Sequence, residues 1–237
     1  MRVPATAMVL AAGLGTRMRP LTDRRPKPLI EVAGRSMLDR ILDHLDAAGV
    51  GMAVINLHHL GAQIRDHLAT RKRPRILLSD ETDRLLETGG GVCRALPLLG
   101  PEPFFVLNGD VLWQDGVRPT LIDLAAFWRD GEMDALLLMH PTGTALGYDG
   151  LGDFLMDQHG RLTRRTVGVA PFLFAGIQIL HPRLFAGCTP EPFSLNRLYD
   201  RAAAQGRLYG ARHLGGWMHI GTPASLAEAE HVLQRRT

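Results

Sequence analysis

Ala7-Met8-Val9-Leu10-Ala11-Ala12, running on into Gly13-Leu14-Gly15-Thr16-Arg17-Met18-Arg19-Pro20-Leu21-Thr22, is the stretch that decides the fold. Six apolar residues in a row, stopped by a glycine, read as a parallel strand buried on both faces. A polar loop rich in glycine and arginine follows, as far as Pro28. In open α/β sheets ligands bind beyond the carboxyl ends of the strands, so this loop is the first candidate for a binding site. Gly13 and Gly15 can take positive φ and let the backbone come close to a ligand. Successive N–H groups in such a turn form a concavity for an anion. Arg17 and Arg19 add charge suited to phosphate oxygens. The spacing excludes two other phosphate loops: a dinucleotide fingerprint needs glycine where Met18 stands, and no Gly-Lys-Ser/Thr follows four spacers.

Working outward, helices and strands alternate. Ser36 caps a helix with Asp39 as its capping-box partner; Met37, Leu38, Ile41, Leu42, Leu45 and Ala48 share one face, and Gly49 ends it. Strands are expected at 53–57, 75–78, 104–107 and 135–139. Helices are expected at 61–69, at 90–98 and from Pro119, as first helical residue, to Trp128. That rhythm implies right-handed βαβ units on a parallel sheet. After residue 140 it changes. Strand-like stretches at 153–157 and 171–180 suggest an excursion with mixed or antiparallel strands, and helices near 195–205 and 223–234 close the chain, the last capped by Thr222. The expected fold class is α/β, a Rossmann-like three-layer αβα sandwich on a mostly parallel mixed sheet, forming a single domain over 1–237.

Composition narrows the function classes. The 237 residues are 46% hydrophobic and 22% charged, ordinary for a globular chain. No apolar run reaches the ~18 residues of a membrane span. Met1-Arg2-Val3-Pro4 leads almost directly into a strand and leaves no room for a signal peptide, so a cytoplasmic protein with no membrane association is expected. Cys93 and Cys188 make neither a disulfide framework nor a metal pattern. The net charge of +3 comes with two short basic runs, Arg71-Lys72-Arg73 and Arg235-Arg236, and no nucleic-acid motif; anionic small molecules suit it better. Of 27 basic residues all but Lys27 and Lys72 are arginine. Lys27 stands between Pro26 and Pro28, which stiffen its backbone, and a held ammonium is useful where charge builds on phosphate. Phe104-Phe105-Val106-Leu107 ends in Asn108-Gly109-Asp110, so Asp110 emerges at a sheet edge where a carboxylate can anchor Mg²⁺ opposite an anionic substrate.

Leu10-Ala11-Ala12-Gly13-x-Gly15-Thr16-Arg17-Met18-Arg19-Pro20-Leu21-Thr22 with Pro26-Lys27-Pro28-Leu29 resembles the signature of the NDP-sugar pyrophosphorylases, most similar among them to the short bacterial N-acetylmuramate-1-phosphate uridylyltransferases and to mannose-1-phosphate guanylyltransferases. The resemblance implies the nucleotide-diphospho-sugar transferase type of fold, with a nucleotide part over about 1–115 and a sugar part over about 116–237. It implies an enzyme that joins a nucleoside triphosphate (UTP first, GTP second) to a sugar-1-phosphate and releases pyrophosphate, with a role in recycling a cell-wall sugar. Ala11, Ala12, Gly13, Gly15 and Thr16 would wrap the triphosphate, with Arg17 on the departing pyrophosphate and Lys27 at the reacting centre. Gly89 and Gly90, in Leu86-Glu87-Thr88-Gly89-Gly90-Gly91, would approach base and ribose, with Asp80 or Glu81 helping to read the base. Asn108 would join the nucleotide side, and Asp110 would hold the metal.

Family members carry a second aspartate before a late Gly-Thr; here Trp217-Met218-His219-Ile220-Gly221-Thr222 puts histidine there. Three readings stay open. Mg²⁺ is held by Asp110, phosphates and water alone; His219 binds Mn²⁺ or Co²⁺; or catalysis is impaired and the protein is a sugar-nucleotide sensor. On the sugar side Gly147 and Asp153 are the candidates, and Arg164 and Arg165 offer cations for an acidic sugar. The attacking phosphate oxygen is already anionic, so no Ser–His or Cys–His nucleophile is expected.

Overall fold

The computed structural model describes residues 2–234, and the basic pair Arg235-Arg236 lies outside the described residues. In chain order the strands are β1 Thr6–Leu10, β2 Glu31–Val32, β3 Arg35–Ser36, β4 Met52–Leu57, β5 Arg75–Asp80, β6 Phe104–Asn108, β7 Val111–Trp113, β8 Ala135–Pro141, β9 Phe154–Met156, β10 Leu162–Arg164, β11 Phe172–Leu180, β12 Leu208–Arg212 and β13 Trp217–His219. The helices are α1 Met37–Ala47, α2 Gly61–Leu68, α3 Glu87–Leu99, α4 Thr120–Phe127, α5 Asn196–Ala204 and α6 Pro223–Gln234.

Nine strands form the central sheet in the order β5-β4-β1-β6-β11-β8-β12, with β9 and β10 joined at the Phe172 end of β11. β5, β4, β1 and β6 run parallel; β11 is antiparallel to both neighbours; β8 and β12 are parallel again. The apolar runs split by their period of two. Ala7, Val9, Ile55, Phe105, Leu107, Ile177 and Ile179 face one layer, into which α1, α2 and α4 send Leu38, Ile41, Leu42, Ile64 and Leu121. Met8, Val54, Phe104, Val106, Leu137 and Leu180 face the other, filled from α3 and α5 by Val92, Ala95, Leu99, Leu198 and Tyr199. This two-sided burial is why the strands lack an apolar–polar alternation, and it makes the three-layer sandwich. No helix among the described residues is long and apolar enough to cross a membrane.

Helix starts follow local chemistry. Ser36 Oγ accepts the Asp39 N–H at 3.0 Å, and its hydroxyl donates to Asp39 Oδ2 at 2.8 Å. Thr222 Oγ1 accepts the Ser225 N–H at 3.2 Å. Pro119 sits one place earlier than expected, at the cap of α4, with φ -58° and ψ 124°. Five short strands escaped the sequence reading: β2, β3, β7, β10 and β13, each two or three residues long, together with the longer β12. Two or three residues carry no period to read. β7 and β13 pair antiparallel, Trp217 against Trp113 and His219 against Val111. A third apolar cluster, with Met18, Ile30, Leu112, Met218, Ile220 and Ala229, ties this ribbon to the first loop and to α6.

His140, near the end of β8, is buried among rings: Trp217 at 5.7 Å and His213 at 5.6 Å between centroids. Thr144 Oγ1 meets its Nε2 at 3.1 Å, while Nδ1 has no partner among the described residues. Burial lowers its pKa to about 4, with the neighbouring His213 and Arg212 acting in the same direction. The folded chain therefore favours neutral His140. Its contribution is complete above pH 6.5 and is lost as the pH falls from 6.5 toward 4. We expect His140→Gln to flatten the fall in unfolding free energy over that window, by at most about 3 kcal/mol, whatever its constant cost in packing. Urea melts at pH 7.5, 5.5 and 4.5 check this; parallel pH profiles for parent and variant would refute it.

Candidate active site

β1 and β6 lie side by side and parallel, yet the chain leaves them in opposite directions, toward β4 and toward β11. Such a switch point opens a crevice at the carboxyl ends of the strands. Here it is a cavity of about 250 Å³ lined by Ala11, Ala12, Gly13, Lys27, Asn108 and Asp110, with Leu10, Pro28, Asn56, Leu85, Glu87, Thr88 and Gly109. Gly109 lets the two strand ends meet, because a Cβ there would stand 2.6 Å from Leu10 O, the atom to which its own N–H donates at 3.0 Å.

The loop after β1 folds back on itself. Gly15 is left-handed, at φ 63°, and its carbonyl accepts from Thr22 Oγ1 at 2.8 Å and from Met18 N–H at 2.9 Å. Gly13 does not need positive φ, and a Cβ there would meet nothing within 4 Å. Thr16 and Arg17 are exposed beyond the turn. Arg19 is taken by Asp23 at 3.1 Å. Met18 anchors the loop from below, fully buried.

Lys27 begins a tight turn closed by Leu29 N–H to Pro26 O at 2.9 Å and Ile30 N–H to Lys27 O at 3.1 Å. It is 9% exposed, unlike Lys72, which is on the surface. Its Nζ donates to Asp110 Oδ2 at 2.7 Å. β13 brings a third group: His219 Nε2 lies 3.4 Å from the same Oδ2. The imidazole stacks on Trp217 at 6.3 Å and 15°, and Gly221 leaves room for it, since a Cβ there would come within 2.7 Å of the ring. Burial pushes the Asp110 carboxyl up, but the His219 hydrogen bond and the Lys27 charge outweigh it and hold Asp110 far below the usual carboxylate range. Oδ1 has no hydrogen-bond partner among the described residues.

Several residues singled out from the sequence sit outside the cavity lining. Asp80 ends β5 on the surface, where Oδ1 accepts from Thr82 N–H and Oγ1 at 2.9 and 2.6 Å. Gly89 and Gly90 lie in the first turn of α3 under a strap, residues 190–194. Both N–H groups donate to Phe193 O, at 2.8 and 3.3 Å. A Cβ at Gly90 would stand 2.0 Å from Glu191 O, and one at Gly89 2.2 Å from the Phe193 ring. The Cβ side of both glycines is filled by packing, and the helix starts three residues earlier than its apolar pattern suggests. Gly147, at φ 68°, packs on His219 O and Ser225. Asp153 Oδ2 accepts Phe174 N–H at 2.8 Å. Arg164 is held by Asp200 and Asn196, and Arg165 by Gly152 O and Gly168 O.

Two groups escaped the reading. Asn56 is a polar residue in the apolar run of β4, a signal in itself. Gly176, at φ 76°, bulges β11 beside Asn108, and a glycine inside a strand marks such bulges.

A family model described as "Nucleotidyl transferase" matches residues 6–150. The chain belongs to the nucleotidyl transferase family. This nucleotidyltransferase is 43% identical over 234 residues to N-acetylmuramate alpha-1-phosphate uridylyltransferase of Caulobacter vibrioides, covering 97% of each chain. It is 35% identical over 227 residues to the protein of that name from Neisseria meningitidis serogroup B, covering 94% of this chain and 96% of the other. The solved inositol-1-phosphate CTP transferase from T. maritima superposes with a TM-score of 0.79 at 16% identity, covering 98% of this chain and 96% of that one, a likeness of fold alone.

The two kinds of glycine separate in a stability assay. Gly90→Ala is expected to cost about 2 kcal/mol by forcing the strap away. Gly13→Ala is expected to stay within about 0.5 kcal/mol of the parent. Chemical denaturation measures both, and equal costs would contradict the packing described.

Proposed function

We propose that the chain transfers a uridylyl group from UTP to N-acetylmuramate α-1-phosphate, releasing pyrophosphate. The observation that carries this is the convergence of Lys27, Asp110 and the glycine loop on one cavity at the switch point. The 97% mutual coverage with the Caulobacter uridylyltransferase supports the choice of base and sugar. We assign about 1–115 to the nucleotide and about 116–237 to the sugar within one domain, in the cytoplasm, where such a reaction would serve reuse of a cell-wall sugar.

In this reading the sugar-phosphate oxygen attacks the α-phosphorus in line and pyrophosphate leaves on the opposite side. The bond from the α-phosphorus to the bridging oxygen breaks as the new P–O bond forms, and no proton transfer from the protein is needed. The backbone of residues 12–16 holds the triphosphate by its N–H groups. Lys27 offsets charge at the reacting centre. Arg17, exposed above the loop, offsets charge on the departing pyrophosphate.

Among the described residues no three His, Cys, Asp or Glu side chains are arranged to hold a metal unaided. One ionised carboxylate with an unpaired oxygen fits a cation that arrives carried by phosphates and water, as Mg²⁺ does. Asp110 would hold it; with His219 adjoining, Mn²⁺ is the alternative. Such a cation supplies neutralisation of phosphate charge.

A matrix of four nucleoside triphosphates against several sugar-1-phosphates, scored by pyrophosphate release, tests the assignment. UTP with N-acetylmuramate α-1-phosphate should lead; a clear preference for GTP with mannose-1-phosphate would overturn it. Lys27→Ala and Asp110→Ala should each lower kcat by about 10²–10³, and Asp110→Ala, which leaves a nearly buried ammonium unpaired, should also lower the thermal midpoint. Full turnover by either would remove that residue from the reaction.

A further inference from the structure

Behind the cavity a chain of hydrogen bonds crosses from one wall to the other. Ala11 N–H, at the start of the first loop, donates to Asn56 Oδ1 at 2.6 Å. Asn56 Nδ2 donates to Glu81 Oε1 at 2.8 Å. Glu81 Oε2 accepts the Leu86 N–H at 3.4 Å, just before α3. Asn56 and Glu81 are 2% and 0% exposed. Glu81 is itself fixed at both backbone groups: its N–H donates to Leu57 O at 2.8 Å, and its carbonyl meets His58 Nδ1 at 2.7 Å. Gly91 makes the passage possible, because a Cβ there would stand 2.7 Å from Glu81 Oε1 and 3.1 Å from Asn56 Nδ2.

The direction of each bond dictates the residue. Both ends of the chain are backbone donors, Ala11 and Leu86. Asn56 accepts at one end and donates at the other. The central group must then accept on both oxygens, and of the side chains this size only a carboxylate does so. That is a physical reason for a buried acid in the molecule, despite burial pushing its pKa up. The strut links Ala11 on the phosphate wall with Leu86, which neighbours the lining residues Leu85 and Glu87 on the opposite wall.

We infer that Asn56 and Glu81 are positioning residues that set the separation of the two cavity walls and hence the fit of the nucleoside triphosphate. The inference rests on the proposed function for the identity of the ligand, not for the strut.

The test is a polarity swap. Glu81→Gln leaves one acceptor oxygen for two donors and sets its own amide N–H against the other. Asn56→Asp sets two carboxylates face to face. Asn56→Asp/Glu81→Gln restores every bond: the new carboxylate at position 56 accepts from Ala11 and from the new amide at position 81, whose oxygen accepts from Leu86. Each single variant is expected to raise KM for the triphosphate about tenfold with kcat within about threefold, and to speed amide exchange at both Ala11 and Leu86. The double variant should recover most of both losses. A purely structural role would lower the folded fraction, and so kcat, without moving KM. Singles with parental KM, or a double no better than the poorer single, would overturn the inference. If the parent turns over no triphosphate, the functional proposal falls, and the exchange rates across the four proteins still decide whether the strut holds both walls.

Discussion

Everything at the site depends on the divergence of the chain from β1 and β6. The two strands pair residue for residue, Ala7 with Phe105 through Leu10 with Asn108, and so their ends are held at one level. Because the chain departs to one side from β1 and to the other from β6, a crevice opens above them. The loop after β1 supplies backbone N–H groups and Lys27; the loop after β6 supplies Asp110. Neither loop makes a site alone. The ion pair of 2.7 Å that joins them is a consequence of strand register as much as of charge.

Around that gap the absence of side chains is used in different ways. Gly109 lets two strand ends touch, Gly91 lets a carboxylate pass, and Gly89 and Gly90 let a strap lie on a helix. Gly15 supplies a left-handed turn. Gly13 alone opens onto empty space, which is what close approach by a ligand requires. A run of three glycines opening a helix is poor for helix propensity, and tertiary packing on both sides compensates for it.

The layered fold and the first loop were legible because long apolar runs buried on two faces have few alternative readings. Strand ends and the proline-framed lysine pointed to the cavity lined by Ala11, Ala12 and Gly13, where Lys27 meets Asp110. The rest was hidden for identifiable reasons. β5 is an edge strand of mixed burial, so nothing in its pattern told Asp80, which turns outward, from Glu81, which turns in. β13 has three residues, and its pairing with β7 across more than a hundred positions has no local signal. The packing of the 190–194 strap on Gly89 and Gly90 had no local signal, because Phe193 and Glu191 are remote in sequence.

The resting ion pair also follows from desolvation. Lys27 is pinned by its flanking prolines and nearly buried, and an unpaired ammonium there would be costly. Asp110 removes that cost, and His219 shares the same oxygen, so the two cationic or donor groups lie on one side of the carboxylate. Its other oxygen has no hydrogen-bond partner among the described residues. Any anion in the cavity would compete with Asp110 for Lys27, so the ammonium could pass from one anion to another without being left unpaired. The pair thus neutralises itself where neither charge is well hydrated, each group lowering the desolvation cost of the other.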